Sequence, residues 1–184
     1  AATGQVTLAH AWREALAIHD IRVAQILLSP EDTETRRRHL NARATMSSLL
    51  GLGAVPVVNE NDTVATAEIR FGDNDRLAAR VAAMISADLL ILLSDIDGLY
   101  SGNPRQDNAA RHVPEVAAIN DEVMAMAGTA NASYASGGMV TKLEAARIAM
   151  NAGCGMIICD GRAARPVRGL IDGGRHTLFR AEHS

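Results

Sequence analysis

Aromatic residues are nearly absent from this 184-residue sequence: Phe, Tyr and Trp together make up 3% of it. That leaves no platform on which nucleic-acid bases could stack. It also forces a core of Leu, Ile, Val, Ala and Met, within an apolar content of 48%. Cysteine is scarce as well. Cys154 and Cys159 flank one apolar run, their spacing matches no zinc signature, and two thiols make no disulfide framework. Both read as buried thiols of a reducing compartment. No run reaches the roughly 18 apolar residues of a membrane-spanning helix, and no signal peptide is visible at the start, so a cytoplasmic protein without a membrane partner is expected. A basic excess is missing too. The net charge is −3 and the pI about 6.1, which is not the footprint of a nucleic-acid binder. Arg36, Arg37 and Arg38 lie among Glu31, Asp32 and Glu34 and read as a solvated helix face. The six histidines show no metal spacing, and no Gly-x-Ser-x-Gly elbow is present.

What the sequence does contain is an alternation of short apolar runs and longer amphipathic segments. The length fits one domain over residues 1–184. Spacing predicts a helix over 7–19, with Gly4 near its entry, and a strand over 21–28. A helix over 32–50 follows, ending at Gly51 and Gly53. The strand over 55–58 is kept short by Pro56, or turns Pro56 to an unpaired side. Residues 63–71 alternate as a hairpin or flap would. Asp73 then caps a helix to about residue 86, with Leu77, Val81, Met84 and Ile85 inward. The run 89–93 (LLILL) predicts a central strand covered on both faces, and 95–105 predicts a turn-rich loop. A helix over 139–151 opens at Gly137 and Gly138. A buried strand over 155–159, a short helix over 164–171 and a strand over 177–179 complete the chain. Met124, Met126 and Met150 read as gap-filling positions. This order implies an α/β fold with a mainly parallel sheet, whose ligands collect beyond the carboxyl ends of the strands.

Three polar segments stand at such positions. Asn59-Glu60-Asn61-Asp62, continuing to Gly72-Asp73-Asn74-Asp75, offers amides to a carboxylate and carboxylates to an ammonium group, although Asn and Asp are also ordinary turn and cap residues. Ser94-Asp95 follows the LLILL run, where a nucleotide would lie; a turn using Asp and Gly for backbone reasons is the simpler alternative. Ser136-Gly137-Gly138-Met139-Val140-Thr141-Lys142 brings backbone N–H groups, a helix N-terminus and a lysine to one place, as an anion site does. It does not match the common P-loop pattern, and a glycine turn before a helix with a surface lysine would look the same.

Taken in order, VPVVNENDTVATAEIRFGDNDRLAARVA, LLILLSDIDGLY and SGGMVTKLEAA resemble the amino acid kinase family, and within it the members that phosphorylate the side-chain carboxylate of L-glutamate. The resemblance runs from about Gly4 to Phe179. It implies a three-layer α/β/α sandwich with a mainly parallel sheet, ATP and Mg²⁺ as cofactors, L-glutamate as substrate, a place at the start of proline biosynthesis, proline as a feedback inhibitor and a homo-oligomer. By position it implies that Asp62 and Asn74 hold glutamate and that Asp75 orients the catalytic lysines. Ser94 and Asp95 contact the nucleotide, and Ser136, Gly137, Gly138, Met139, Val140, Thr141 and Lys142 surround the phosphates, with Lys142 stabilising charge. Another family member, such as an acetylglutamate kinase, and an inactive nucleotide-binding fragment are the alternatives. The absence of an early GxGxxG argues against a dinucleotide-binding oxidoreductase.

Two departures accompany the resemblance. Ala135-Ser136-Gly137-Gly138 stands where members commonly read Gly-Thr-Gly-Gly, and Ala135 cannot adopt positive φ cheaply. Members also begin with a strand and a glycine-rich turn carrying a lysine, and many end in a PUA domain, an RNA-binding type of module. Neither is found between Ala1 and Ser184, so a fragment of a longer protein is expected. On that expectation the isolated chain shows little or no kinase activity. Glutamate-dependent ADP release at rates typical of kinases, about 1–100 s⁻¹, would overturn it.

Overall fold

In the computed structural model, which describes residues 2–61, 74–128 and 138–181, the chain forms two units, Ala1–Leu77 and Ala78–Ser184. The first unit begins with good helix formers, Ala, Gln, Leu, Arg and Glu, and these give α1 (Ala2–Ala17). Gly4 lies inside the helix rather than at its entry. After Ala17 the chain turns out of the helix at Asp20, whose φ is 57°. Ile21 N–H donates to Leu16 O and Asp20 N–H to Ala17 O, the closure that usually uses glycine and here uses one of the few other residues tolerating that conformation. Gln5 is buried, 7% exposed, and its side-chain amide donates to Glu60 O at 3.0 Å.

Strands β1 (Arg22–Leu28) and β2 (Ala54–Glu60) run parallel, in register from Arg22 opposite Ala54 to Leu28 opposite Glu60. Parallel neighbours need a long crossover. The single helix expected over 32–50 is instead two, α2 (Pro30–Glu34) and α3 (Arg36–Gly51), because Thr35 between them is extended. Local polar bonding favours an early start and stop. The N–H and hydroxyl of Ser29 both donate to Asp32 Oδ2, at 2.7 and 2.6 Å. Across the break, the Arg38 guanidinium reaches Glu31 at 3.1 Å and Asp32 at 3.5 Å. Burial alone would raise the Asp32 pKa, but these bonds outweigh it and hold it below its ordinary value. Arg36, Arg37 and Arg38 are exposed on α3, as a solvated face should be. β2 is longer than the expected four residues. Among the described strands it pairs on one side only, so Pro56, opposite Ala24, need not interrupt a second ladder. At the strand ends Asn61 N–H donates to Leu28 O at 2.8 Å. Helix α4 (Asn74–Met84) opens at the end of this unit. Leu77 and Met84 are buried as predicted, and Val81 and Ile85 are half-buried. The Asp73 cap and the 63–71 hairpin or flap lie outside the described residues.

The second unit contains β3 (Leu89–Ser94), β4 (Leu99–Tyr100), β5 (His112–Val113), β6 (Glu115–Val116), α5 (Asp121–Met126), α6 (Met139–Asn151), β7 (Gly155–Asp160), α7 (Pro166–Ile171) and β8 (His176–Phe179). One sheet has the order β3-β7-β8-β6. β3 and β7 are parallel, β8 is antiparallel to β7, and β6 is parallel to β8. The buried inner strand is thus β7, whose residues from Met156 to Cys159 are all buried. The LLILL strand, expected to be central and covered on both faces, lies at the edge among the described strands, and Leu89 and Leu93 are 44% and 50% exposed. An unbroken apolar run reports side chains suited to burial, not how many strands flank it. Among the described residues, three of the five strand pairings are parallel.

Helix α6 matches the expected 139–151 span, and Gly138 is its N-cap. Ala145, Ala146 and Ala149 are fully buried, and their small side chains let the helix backbone come close to its neighbours. Phe179, Leu99, Leu143, Met156 and Ile158 fill the rest of an aliphatic core. Cys154 and Cys159 are buried free thiols. Burial, with the charges of Asp88 and Asp160 respectively, pushes their pKa values up. Phe179, one of two phenylalanines in the chain, is 0% exposed. Its replacement by alanine is expected to lower the unfolding free energy by about 3–5 kcal/mol, measured by urea denaturation. A loss under about 1 kcal/mol would mean that the core does not depend on it.

Candidate functional site

The carboxyl ends of β3 and β7 lie side by side, with Ser94 opposite Asp160. Immediately after, Gly161 N–H donates to Ser94 O at 2.7 Å. A Cβ at this position would come within 2.8 Å of Leu93 Cβ, so only glycine lets the chain leave β7 this close to its neighbour. Asp160 is then gripped by Arg162. The guanidinium donates to both carboxylate oxygens, Nε at 2.9 Å and Nη2 at 2.7 Å, and the Arg162 N–H adds a third bond at 2.9 Å. These bonds hold the Asp160 pKa down, at about 2. Because the pair faces water, its main effect is to shape the turn.

From Ser94 the other chain enters the 95–105 loop. The Ser94 hydroxyl donates to Asp95 Oδ1 at 3.3 Å, and Arg105 Nη2 to Asp95 Oδ2 at 3.4 Å. Tyr100 OH donates to Asp97 at 2.8 Å and accepts from Arg175 at 3.2 Å. Gly98 has a φ of 152°, and a Cβ there would meet Thr177 Oγ1 at 2.6 Å and His112 Nε2 at 2.7 Å. Burial, opposed by the Asp97 charge, holds the His112 imidazole below its usual pKa.

This loop, the end of α5 and the start of α6 enclose a cleft of about 730 Å³, within the range of small-molecule sites. Asp95, Tyr100 and Arg105 line one side, Met126 and Gly128 another, and Gly138, Met139 and Lys142 a third. Lys142 is 8% exposed and is the one lysine among the 18 basic residues of the sequence. Its N–H closes the first turn of α6 on Gly138 O, which also accepts from the Thr141 hydroxyl at 2.7 Å. An α-helix leaves its first N–H groups without intrahelical acceptors, and its dipole favours an anion there. A cation, a helix N-terminus and a neighbouring guanidinium suit a phosphorylated ligand.

The sequence pattern of the amino acid kinase family matches residues 1–160. The chain belongs to that family. It is 63% identical, over 97% of its length, to a glutamate 5-kinase of Paramagnetospirillum magneticum, and 60% identical, over 99%, to one of Gluconobacter oxydans. Each match takes in 48% of the relative, so the chain spans about half the length of these curated relatives. Among solved structures, a UMP kinase from Ureaplasma parvum has a TM-score of 0.60 at 10% identity, over 92% of this chain and 65% of that one. An isopentenyl phosphate kinase has the same TM-score at 18% identity, over 94% and 65%. These likenesses establish the amino acid kinase-like α/β fold.

Of the site residues expected from the sequence, Asp95, Gly138, Met139 and Lys142 line the cleft of this amino acid kinase chain. Ser94 ends β3 and bonds to Asp95 without lining the cleft, and Val140 and Thr141 lie in the same helical turn without lining it either. Asn74, exposed, and Asp75, half-buried, open α4 in the first unit. Asp62, Ala135, Ser136 and Gly137 lie outside the described residues. The sequence reading gave no site role to Tyr100, Arg105, Asp160 or Arg162, and took Met126, which lines the cleft, as a gap-filling position. The rule that directed attention to Ser94 and Asp95, polar residues just after an apolar strand, would also have found Asp160 and Arg162. Among the described residues no group of His, Cys, Asp and Glu could hold a metal ion by itself, and no helix is long and apolar enough to cross a membrane.

The Asp160 grip can be tested directly. In Arg162→Gln the Asp160 pKa is expected to rise from about 2 toward the ordinary 3.8, followed by carboxyl-carbon NMR. A depressed carboxylate pKa contributes stability above the unfolded-state value and loses it as pH falls through the folded one. Any contribution of the pair is therefore present above about pH 4 and is lost as pH falls toward the folded value of about 2. An unchanged titration in the variant would show that Arg162 does not set it.

Proposed function

We propose that the protein carrying this chain is a kinase that transfers the γ-phosphoryl group of ATP to the side-chain carboxylate of L-glutamate. The observation that carries the reading is Lys142, buried at the start of α6 and lining the cleft beside the loop that leaves β3. The name of its relatives, glutamate 5-kinase, supplies the acceptor.

In this reading the triphosphate lies in the cleft with its phosphates toward α6. A glutamate γ-carboxylate oxygen attacks the γ-phosphorus. The bond from that phosphorus to the β,γ-bridging oxygen breaks, and ADP departs with the electron pair. The product is glutamyl 5-phosphate, an acyl phosphate. A glutamate carboxylate is ionised at neutral pH, so no general base is needed. The protein's task is to position the reactants and balance charge. Lys142 and the N-terminus of α6 do this at the transferred phosphoryl group. By the resemblance, Ser94, Asp95 and residues 136–142 contact the nucleotide, with Asp95, Gly138, Met139 and Lys142 doing so from the cleft wall; Asp62 and Asn74 hold glutamate, and Asp75 orients the catalytic lysines. Mg²⁺, when bound with ATP, would supply neutralisation of phosphate charge. It takes many of its ligands from phosphate and water, and Asp95 is the cleft carboxylate available to it. A role in proline biosynthesis, inhibition by proline, a cytoplasmic location and a homo-oligomer belong to the same proposal.

The test is acceptor preference in the full-length protein. ADP release is measured with L-glutamate, N-acetylglutamate, L-aspartate and UMP, and the acyl phosphate is trapped with hydroxylamine. Preference for another acceptor overturns the reading, and ATP binding without turnover replaces it with a nucleotide-binding module. Lys142→Met is expected to lower kcat by about 10²-fold or more with little change in melting temperature. Lys142→Arg should not restore it, because a planar guanidinium does not reproduce a compact ammonium charge. Activity in Lys142→Met within about threefold of wild type would remove Lys142 from this role.

A further inference from the structure

The 95–105 loop forms one wall of the cleft, yet its own structure gives it little support. Among the described residues its only regular pairing is the ribbon of β4 and β5, two residues each, with Leu99 opposite Val113 and Tyr100 opposite His112. So short a ribbon is not stable by itself. The visible polar ties around Tyr100 are weak anchors. Arg175 reaches Asp97 at 3.6 Å with a side chain 61% exposed, a geometry that contributes little in water.

A stronger tie comes from β8. Thr177 is 0% exposed. Its hydroxyl accepts the Leu99 N–H at 2.7 Å and donates to Val113 O at 2.6 Å. Leu99 and Val113 are register partners, so the hydroxyl is inserted into the ladder as a relay between them. One buried oxygen thus joins β4, β5 and β8. The fit is tight, because Gly98 presses its backbone onto Thr177 Oγ1 and leaves no room for a side chain. Leu99 is also 0% exposed, so neither its N–H nor the hydroxyl can turn to water instead. Removing the hydroxyl would leave a buried donor and a buried acceptor without this partner, which is more disruptive than losing an exposed bond.

We propose that Thr177 is a positioning residue for the cleft: its hydroxyl fixes the loop that presents Asp95, Tyr100 and Arg105 to the ligand. The proposal rests on the reading of the cleft as an ATP site, and it concerns nucleotide affinity rather than the chemical step. Three variables decide it in the full-length protein: amide hydrogen exchange of Leu99, the ATP KM and the glutamate KM. Thr177→Val keeps the shape and removes the hydroxyl. It is expected to speed Leu99 exchange and raise the ATP KM, each about tenfold, with the glutamate KM within about twofold of wild type. Thr177→Ser keeps the hydroxyl and should restore both. Unchanged Leu99 exchange, an unchanged ATP KM, or equal rises in both KM values in Thr177→Val would overturn the proposal. Should Thr177→Val not fold, Thr177→Ser decides alone: wild-type exchange and ATP KM support the clamp, and a rise above about fivefold overturns it. If the wild-type protein does not use ATP, the kinase reading fails separately, and the Leu99 exchange rates in the two variants still decide whether Thr177 holds the loop.

Discussion

The register that sets Ser94 beside Asp160 decides where the chemistry of the second unit can lie. Both strands run the same way, so both deliver their polar residues at one edge. Alternation of polar and apolar residues cannot set this register, because β7 is buried from Met156 to Cys159 and has no solvent face. Glycines bracket it instead. At one end Gly155 N–H bonds to Asp88 O, and a Cβ on Gly155 would touch Leu89. At the other, Gly161 bonds to Ser94 O and has no room for a Cβ against Leu93. A slip by one residue would bring a side chain onto that backbone and reverse the facing of every residue. The 95–105 loop and the Asp160–Arg162 turn therefore start from fixed points.

What could be read in the sequence follows from how local its causes are. Helix α6 was legible because its entry at Gly138 and its apolar positions are local to the segment. β7 was legible because a buried strand needs only a short apolar run between turns. The break at Thr35 was not, because Ser29 and Asp32 form an early cap inside a pattern that otherwise continues as helix. β4, β5 and β6, of two residues each, are too short to show periodicity. β4 and β5 are held by Thr177, more than sixty residues away. The place of β3 at a sheet edge depends on neighbours that its own residues do not encode.

The candidate site divides in the same way. Asp95 and Lys142 were legible because one follows a strand and the other opens a helix, positions with a general physical meaning. Arg105 and Met126 were not, because each reaches the cleft only through the path of its own segment. Gly98 shows how a simple explanation and a functional one can coexist. The turn does use glycine for a backbone reason, since no Cβ fits against Thr177 and His112. That same tight contact helps hold a loop carrying charged groups at the cleft.

The charges around α6 give the site its sign. Helices α2, α4 and α5 each carry acidic residues in the first turn, Glu31 and Asp32, Asp75, and Asp121 and Glu122, which meet the positive end of the helix dipole. α6 has none, as α1, α3 and α7 have none, and its N-cap, Gly138, has no side chain to accept from the helix N–H groups. Its first turn closes instead at a buried lysine. The Lys142 ammonium thus brings a second positive group to the positive end of the helix dipole. A fold that only needed a stable helix would be better served by Ser or Asp at position 138. An arrangement that sets a lysine and a helix N-terminus together on a cleft wall suits an anionic ligand, and a nucleotide's phosphates carry that sign of charge.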